Sequence, residues 1–460
     1  MAGIGFRLKN YFNEGGILGS IQGTLYSIII SSGPWLISVL TIAVVSYAAR
    51  GEIGVDDLYI FKSVICYSYA VSLILFGAIE MPITRYIADQ LYNKDFTTFR
   101  STFLYLSTLF VFVGAIIGAI FYSYIDALTV YEKLFCIAFF CSVMIVWLTM
   151  IFLSAAKNYH QIILSFLVGG LTSAFLSALL GSYFQLSGYI IGYSIGQILI
   201  ALLLSLNLFG EFQGLDYSSL EFTRYFKRHK TLVFVGLFYY LGIWVDKFIF
   251  WFGPNGKQVS GLFYTNQYYD TAMFFAYLSI VPSLAIFLVQ VETNFYTKYL
   301  YYFKAIQNKQ PLDILEENTQ QIILSIKDSI YKLIKIQTGV TLVIWYFAEE
   351  ILELLYLPSL MLSSFKYGLI GAFLQVLFLI INIILLYFLN HKRVLLHYFI
   401  FFISNLIFTY TIQFADYRYQ GLGYLLSTML VFVLSFFSLD KKLKDINFYT
   451  FMGQPIGEER

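Results

Sequence analysis

Apolar runs of bilayer length follow one another along nearly the whole chain, and they limit the fold more than any other feature. A helix needs about 20 apolar residues to cross hydrocarbon. Backbone polar groups at that depth must be satisfied within the segment, so such runs become helices. Spans are expected at 17–48, 58–88, 99–122, 131–155, 161–183, 188–209, 231–252, 269–295, 331–347, 365–389, 394–414 and 422–439. Only 12% of residues are charged and mean hydropathy is +0.73, against about 25% charged in a soluble domain. The expectation is an all-α polytopic membrane protein of about twelve helices.

Charge sets the orientation. Loops on one side carry Arg7 and Lys9, Arg224, Lys227, Arg228 and Lys230, and Lys441, Lys442 and Lys444. The alternate loops are poorer in bases and hold Glu52, Asp56, Asp57, Glu349 and Glu350. Basic loops stay inside, so both termini are expected in the cytoplasm. The stretch Met1–Asn13 lacks the pattern of a cleavable signal. A net charge of +2 gives no reason to expect nucleic acid. Cys66, Cys136 and Cys141 sit inside apolar runs and read as core residues. The four histidines have no metal-ligand spacing, and no catalytic set, phosphate loop or cofactor motif appears. Neither an enzyme nor a metal or cofactor site is expected.

The stretch Tyr239–Trp251 is the main functional candidate. Asp246 and Lys247 stand side by side inside an apolar span, where an ionisable group costs about 2.5–3.5 kcal/mol on insertion scales. Adjacent helical positions lie about 100° apart, so one or both should face a polar cavity or another helix rather than lipid. Glu80 lies deep in the second span. Arg85 and Asp89, four apart on one face, form either an interfacial pair or a gate. Glu292 and Asn294 occupy the matching end of the eighth span. Asp270, near the outer end of that span, reads as solvated.

An internal repeat is suggested by offset. Gly33 and Gly242, and Trp35 and Trp244, each lie 209 residues apart. The first span then maps onto the seventh, giving halves at 1–210 and 231–440, a cytoplasmic linker at 211–230 and a tail at 441–460. Ser31 to Trp35 should break the first helix at Gly33-Pro34, either as a hinge opposite Asp246 and Lys247 or as an ordinary packing kink. An amphipathic helix is expected over 311–335, lying on the inner leaflet or docking a partner. The candidate substrate path is Trp35, Glu80, Tyr240, Trp244, Asp246, Lys247, Glu292 and Asn294. Candidate hinge or gate residues are Gly33, Pro34, Arg85, Asp89 and Gly242.

Several of these stretches carry a family resemblance. Met1 to Phe6, Ser31 to Trp35, Thr84 to Asp89, Tyr240 to Phe248 and Phe451 to Pro455 resemble the PelG family, the inner-membrane component of Pel exopolysaccharide systems. The resemblance implies a MATE-like fold of the MOP superfamily, with two pseudo-symmetric six-helix halves. It implies export of an N-acetylhexosamine-rich polymer made by a cytosolic glycosyltransferase, and assembly with the inner-membrane proteins PelD and PelE. Three alternatives stay open: a lipid-linked oligosaccharide flippase, an ion-coupled small-molecule exporter, and a membrane scaffold for a synthase. The small number of deep Arg and Lys weighs against a flippase for a pyrophosphate-linked lipid.

Overall fold

The computed structural model describes residues 16–156, 158–214, 221–290 and 294–452, with side chains from Ser32 onward apart from 286 and 288–290. Among them the chain is helical except for one small hairpin, and nine helices are long and apolar enough to cross a membrane. Two compact units divide it, one of Ser32–Asp270 and a C-terminal unit that joins residues 16–31 to the chain from Thr271 onward.

The first unit begins within α1 (Gly16–Ala49) and continues through α2 (Val55–Asn93), α3 (Phe99–Ser123) and α4 (Val130–Ala156). The expected break at Gly33-Pro34 is absent: α1 runs unbroken through both residues. Proline removes one donor and crowds one carbonyl, and here the turn is tied locally, Ser38 Oγ donating to the Pro34 carbonyl at 3.0 Å.

Helix α5 (Tyr159–Glu211) holds the fifth and sixth expected spans, joined by a reversal at Gln185, whose φ is 51° and ψ −129°. Its two arms approach until backbones touch. A Cβ at Gly188, Gly192 or Gly196 would strike Leu180, Ser177 or Ser173 of the facing arm. Ser173 and Ser177 donate to the carbonyls of Tyr193 and Tyr189 at 3.2 and 3.3 Å. Small residues at four-residue spacing serve this purpose in membranes, where no hydrophobic force drives helices together.

Within the linker expected at 211–230, a short helix α6 (Phe222–Arg228) precedes α7 (Lys230–Phe252). A hairpin follows, β1 (Lys257–Ser260) with β2 (Phe263–Thr265), turned at Gly261, whose φ is +52°. Its Phe263 is fully buried among Tyr67, Phe121 and Tyr122. The hairpin returns the chain to start α8 (Gln267–Leu278) against α7. Two apolar clusters fill the unit, one around Phe99, Phe103 and Phe152, the other around Tyr67, Tyr193 and Trp251; Trp147 packs on both.

The C-terminal unit takes up the chain inside α8. The eighth expected span is two helices, α8 and α9 (Val281–Gln290), parted before Pro282. The parting is satisfied from within: the Ser279 carbonyl accepts from Gln337 Nε2 at 3.1 Å, and Ser283 donates to Gln337 Oε1. Helix α10 (Tyr296–Gln307) leads to α11 (Leu312–Tyr346). The amphipathic helix expected over 311–335 is therefore not a separate surface element. It runs straight into the ninth span, since no proline interrupts 312–346. Its stripe of Leu315, Thr319, Ile322, Ile326 and Leu333 is buried, and Thr319 and Tyr302 both donate to Asn447 Oδ1, at 2.9 and 2.8 Å. After α12 (Ala348–Leu354) come α13 (Leu362–Tyr387), α14 (His391–Ile412), α15 (Leu422–Lys444) and α16 (Ile446–Met452). Buried polar groups clasp α13, α14 and α15: Asn382 Oδ1 lies 2.7 Å from His397 Nδ1, and His397 Nε2 lies 3.0 Å from Ser438 Oγ.

Candidate functional site

In the first unit α2 and α7 cross at two glycines. A Cβ on Gly77 would lie 2.8 Å from the Gly236 carbonyl and 2.5 Å from the Tyr240 ring, so only glycine lets these backbones meet. From this crossing, Gly236, Tyr240, Trp244, Lys247 and Trp251 follow one face of α7 at spacings of three and four. They form a ladder of aromatic and polar groups. Tyr240 donates to the Glu80 carboxylate. Lys247 Nζ lies 5.5 Å from the Trp244 ring centroid, within cation–π range. Trp251 stacks on Tyr67 of α2, with centroids 4.6 Å apart.

Asp246 and Lys247 are 0% and 7% exposed. Lys247 reaches back around the helix to the Ile243 carbonyl at 3.0 Å and to Asp246 at 3.4 Å. Asp246 also faces α8, whose Tyr269 hydroxyl donates to it at 2.5 Å. A buried acid is tolerable only when paired and hydrogen-bonded, and here a neighbouring cation and a phenol together meet that condition. Asp270, one residue on, is not solvated as the sequence suggested. Trp251 Nε1 donates to its two oxygens at 3.0 and 2.8 Å.

A second layer of polar groups stands behind α2. The Tyr69 hydroxyl donates to Gln197 Oε1 of α5 at 3.3 Å and lies in reach of Ser38 and Tyr193. Trp147 Nε1 of α4 donates to Ser72 Oγ at 3.1 Å. Two donors in this region, Trp244 Nε1 and Gln197 Nε2, are buried and meet no acceptor among the described residues. Buried polar atoms are almost always satisfied, so these two donors suit an acceptor from outside the described side chains.

The sequence candidates separate accordingly. Glu80 joins Tyr240, and Trp244 joins Lys247 and Asp246. Gly242 is buried on α7. Arg85 and Asp89 pair at 3.2 Å, as their spacing indicated. Gly33 is buried and Trp35 is 37% exposed; Pro34 connects to the second layer through Ser38. Asn294 is half-buried in the C-terminal unit, and Glu292 lies outside the described residues. Sequence reasoning missed Tyr67, Tyr69, Gln197, Tyr269 and the hydrogen bond from Trp251 to Asp270. All depend on contacts distant in sequence. Only the indole of Trp251, one α7 turn beyond Lys247, offered a signal.

The family model PelG, described as "Putative exopolysaccharide Exporter (EPS-E)", matches residues 1–451. No curated protein matches the chain. Among solved structures, an outward-facing multidrug resistance MATE family transporter of the MOP superfamily aligns with a TM-score of 0.61 and 12% identity, covering 92% of this chain and 96% of that one. The inward-facing conformation of such a transporter gives 0.61 and 12%, over 91% and 99%. A MOP superfamily transporter from Pyrococcus furiosus gives 0.61 and 13%, over 92% and 96%. Identities this low speak for the fold alone, and that fold is the MOP one that the sequence resemblance implied. The chain belongs to the PelG family of exopolysaccharide exporters and is a multi-pass membrane transporter, not an enzyme.

Proposed function

We propose that the chain carries an N-acetylhexosamine-rich polysaccharide across the cytoplasmic membrane, with both termini inside, and that sugars travel along the α2–α7 ladder. What supports this reading is the pair of unfilled donors, Trp244 Nε1 and Gln197 Nε2, set among indole and phenol rings. Sugar hydroxyls and acetamido carbonyls are acceptors, and aromatic faces give sugar rings contact area at little entropic cost. Glu80, Asp246 and Lys247 add charge-assisted hydrogen bonds. A cytosolic glycosyltransferase feeds the polymer, and PelD and PelE complete the assembly. Gly33, Pro34, Arg85, Asp89 and Gly242 are the positions at which the path would bend or close, and Trp35 extends it; Glu292 and Asn294 stay candidates by their chemistry alone.

Trp244→Phe and Gln197→Leu each remove one donor while keeping an apolar body. A hydrogen bond is worth about 0.5–1.5 kcal/mol net, so each variant should lower secretion about two- to tenfold at unchanged membrane level. Unchanged secretion by the double variant would sink the donor argument. The buried acid Asp246 favours one other reading, an ion-coupled exporter in which it holds the coupling cation. Asp246→Asn abolishes export under that reading and only weakens it under ours.

A further inference from the structure

The other end of α2 carries a feature the ladder does not use. A cavity of about 350 Å³ is lined by Arg85 and Asp89 of α2, by Glu221, Arg224, Tyr225 and Arg228 of α6 and its approach, and by His229. Its two acids are already engaged. Asp89 pairs with Arg85 at 3.2 Å and meets the Tyr225 hydroxyl. Glu221 accepts from Gln90 Nε2 at 3.1 Å. Arg224 and Arg228 have no carboxylate within ion-pair distance among the described residues. Arg85 Nε is fully buried and makes no well-directed hydrogen bond despite facing Asp89. Burial first, then Arg85 and Arg228, hold His229 below its ordinary value, with Asp89 opposing. The Tyr225 and His229 rings lie 5.9 Å apart along one wall.

We propose that this pocket binds a phosphate-bearing anion, supplied either by a lipid headgroup or by a soluble nucleoside diphosphate. Three guanidinium groups around one small cavity match the oxygens of a phosphate, since each fork can donate two parallel hydrogen bonds. Arg224 and Arg228 lack counter-charges among the described residues, and an anion would supply one. The pocket sits where α2 ends and the short α6 begins, and the end of a helix long and apolar enough to cross a membrane is where lipid headgroups are met. It shares Arg85 and Asp89 with the proposed gate but no residue with the α2–α7 ladder, and anion binding here does not rest on that reading.

The test uses the full-length chain purified in detergent. Phosphatidylglycerol retention is read by native mass spectrometry after delipidation and titration, and uridine diphosphate binding by calorimetry. Wild type should bind at least one probe, and Arg224→Gln/Arg228→Gln should weaken that binding at least about tenfold, the value of a charge-assisted hydrogen bond. Loss confined to phosphatidylglycerol assigns the lipid, and loss confined to the nucleotide assigns the soluble ligand. If the double variant does not purify, Arg224→Lys/Arg228→Lys keeps the charges but loses the forks, and should bind several-fold more weakly than wild type. Binding of neither probe, or equal binding by wild type and whichever variant is obtained, overturns the proposal.

Discussion

Lys247 is held in an apolar helix by the Ile243 carbonyl, the face of Trp244 and the Asp246 carboxylate, among other contacts. Removing one partner of a buried ion pair costs about 3–5 kcal/mol, because the other charge is left uncompensated. Lys247→Met should therefore destabilise the protein by about that amount, while Asp246→Asn/Lys247→Met recovers most of the loss. Thermal unfolding in detergent of the two singles and the double measures this coupling, and simply additive losses would show that the two groups do not support each other. Sequence alone marked both residues, since an adjacent acid and base in an apolar run are costly wherever they point. It could not supply Tyr269, which depends on the hairpin at 257–265 turning α8 back on α7. For the same reason Asp270 was misread as solvated.

Among helices, glycines decide how closely backbones approach. Gly77→Val should push α2 from α7 and cost more than the about 1–3 kcal/mol usual for overpacking, because the obstacle includes the Gly236 carbonyl and not side chain alone. Gly339 on α11 has open space where a methyl group would stand, with nothing within 4 Å, so Gly339→Ala should raise stability by up to about 1 kcal/mol through helix propensity. Thermal midpoints of the two variants should move in opposite directions; a shift in the same direction contradicts the assignment of the crossing. Most spans were readable within a few residues because apolar length is a strong local signal. The exceptions have physical causes. Pro34 left α1 unbroken because one lost hydrogen bond does not end a helix. Pro282 did divide the eighth span, where Gln337 supplies replacement bonds. Helix α11 merged two expected elements because the amphipathic stripe is covered by its own unit.

For the molecule as a whole, the MOP fold followed from the family resemblance, whereas composition reached only a polytopic helical protein. The compact units part after Ser31 and again after Asp270, while the halves suggested by the repeat part within the 211–230 linker. Helix α7 packs on α2 and stays with the earlier chain, and an offset between matching residues carries no information about such packing. If the ladder from Tyr239 to Trp251 is the path of the exported polymer, removing its charges must impair export without removing the protein. The most direct measurement is secreted polysaccharide from a strain lacking this protein, complemented with wild type or with Asp246→Ala/Lys247→Ala, with membrane levels of the protein and levels of the glycosyltransferase followed in parallel. Secretion far below wild type at normal protein levels is the predicted result. Full secretion by the double variant, with loss only on deletion of the whole chain, would contradict it and favour a scaffold.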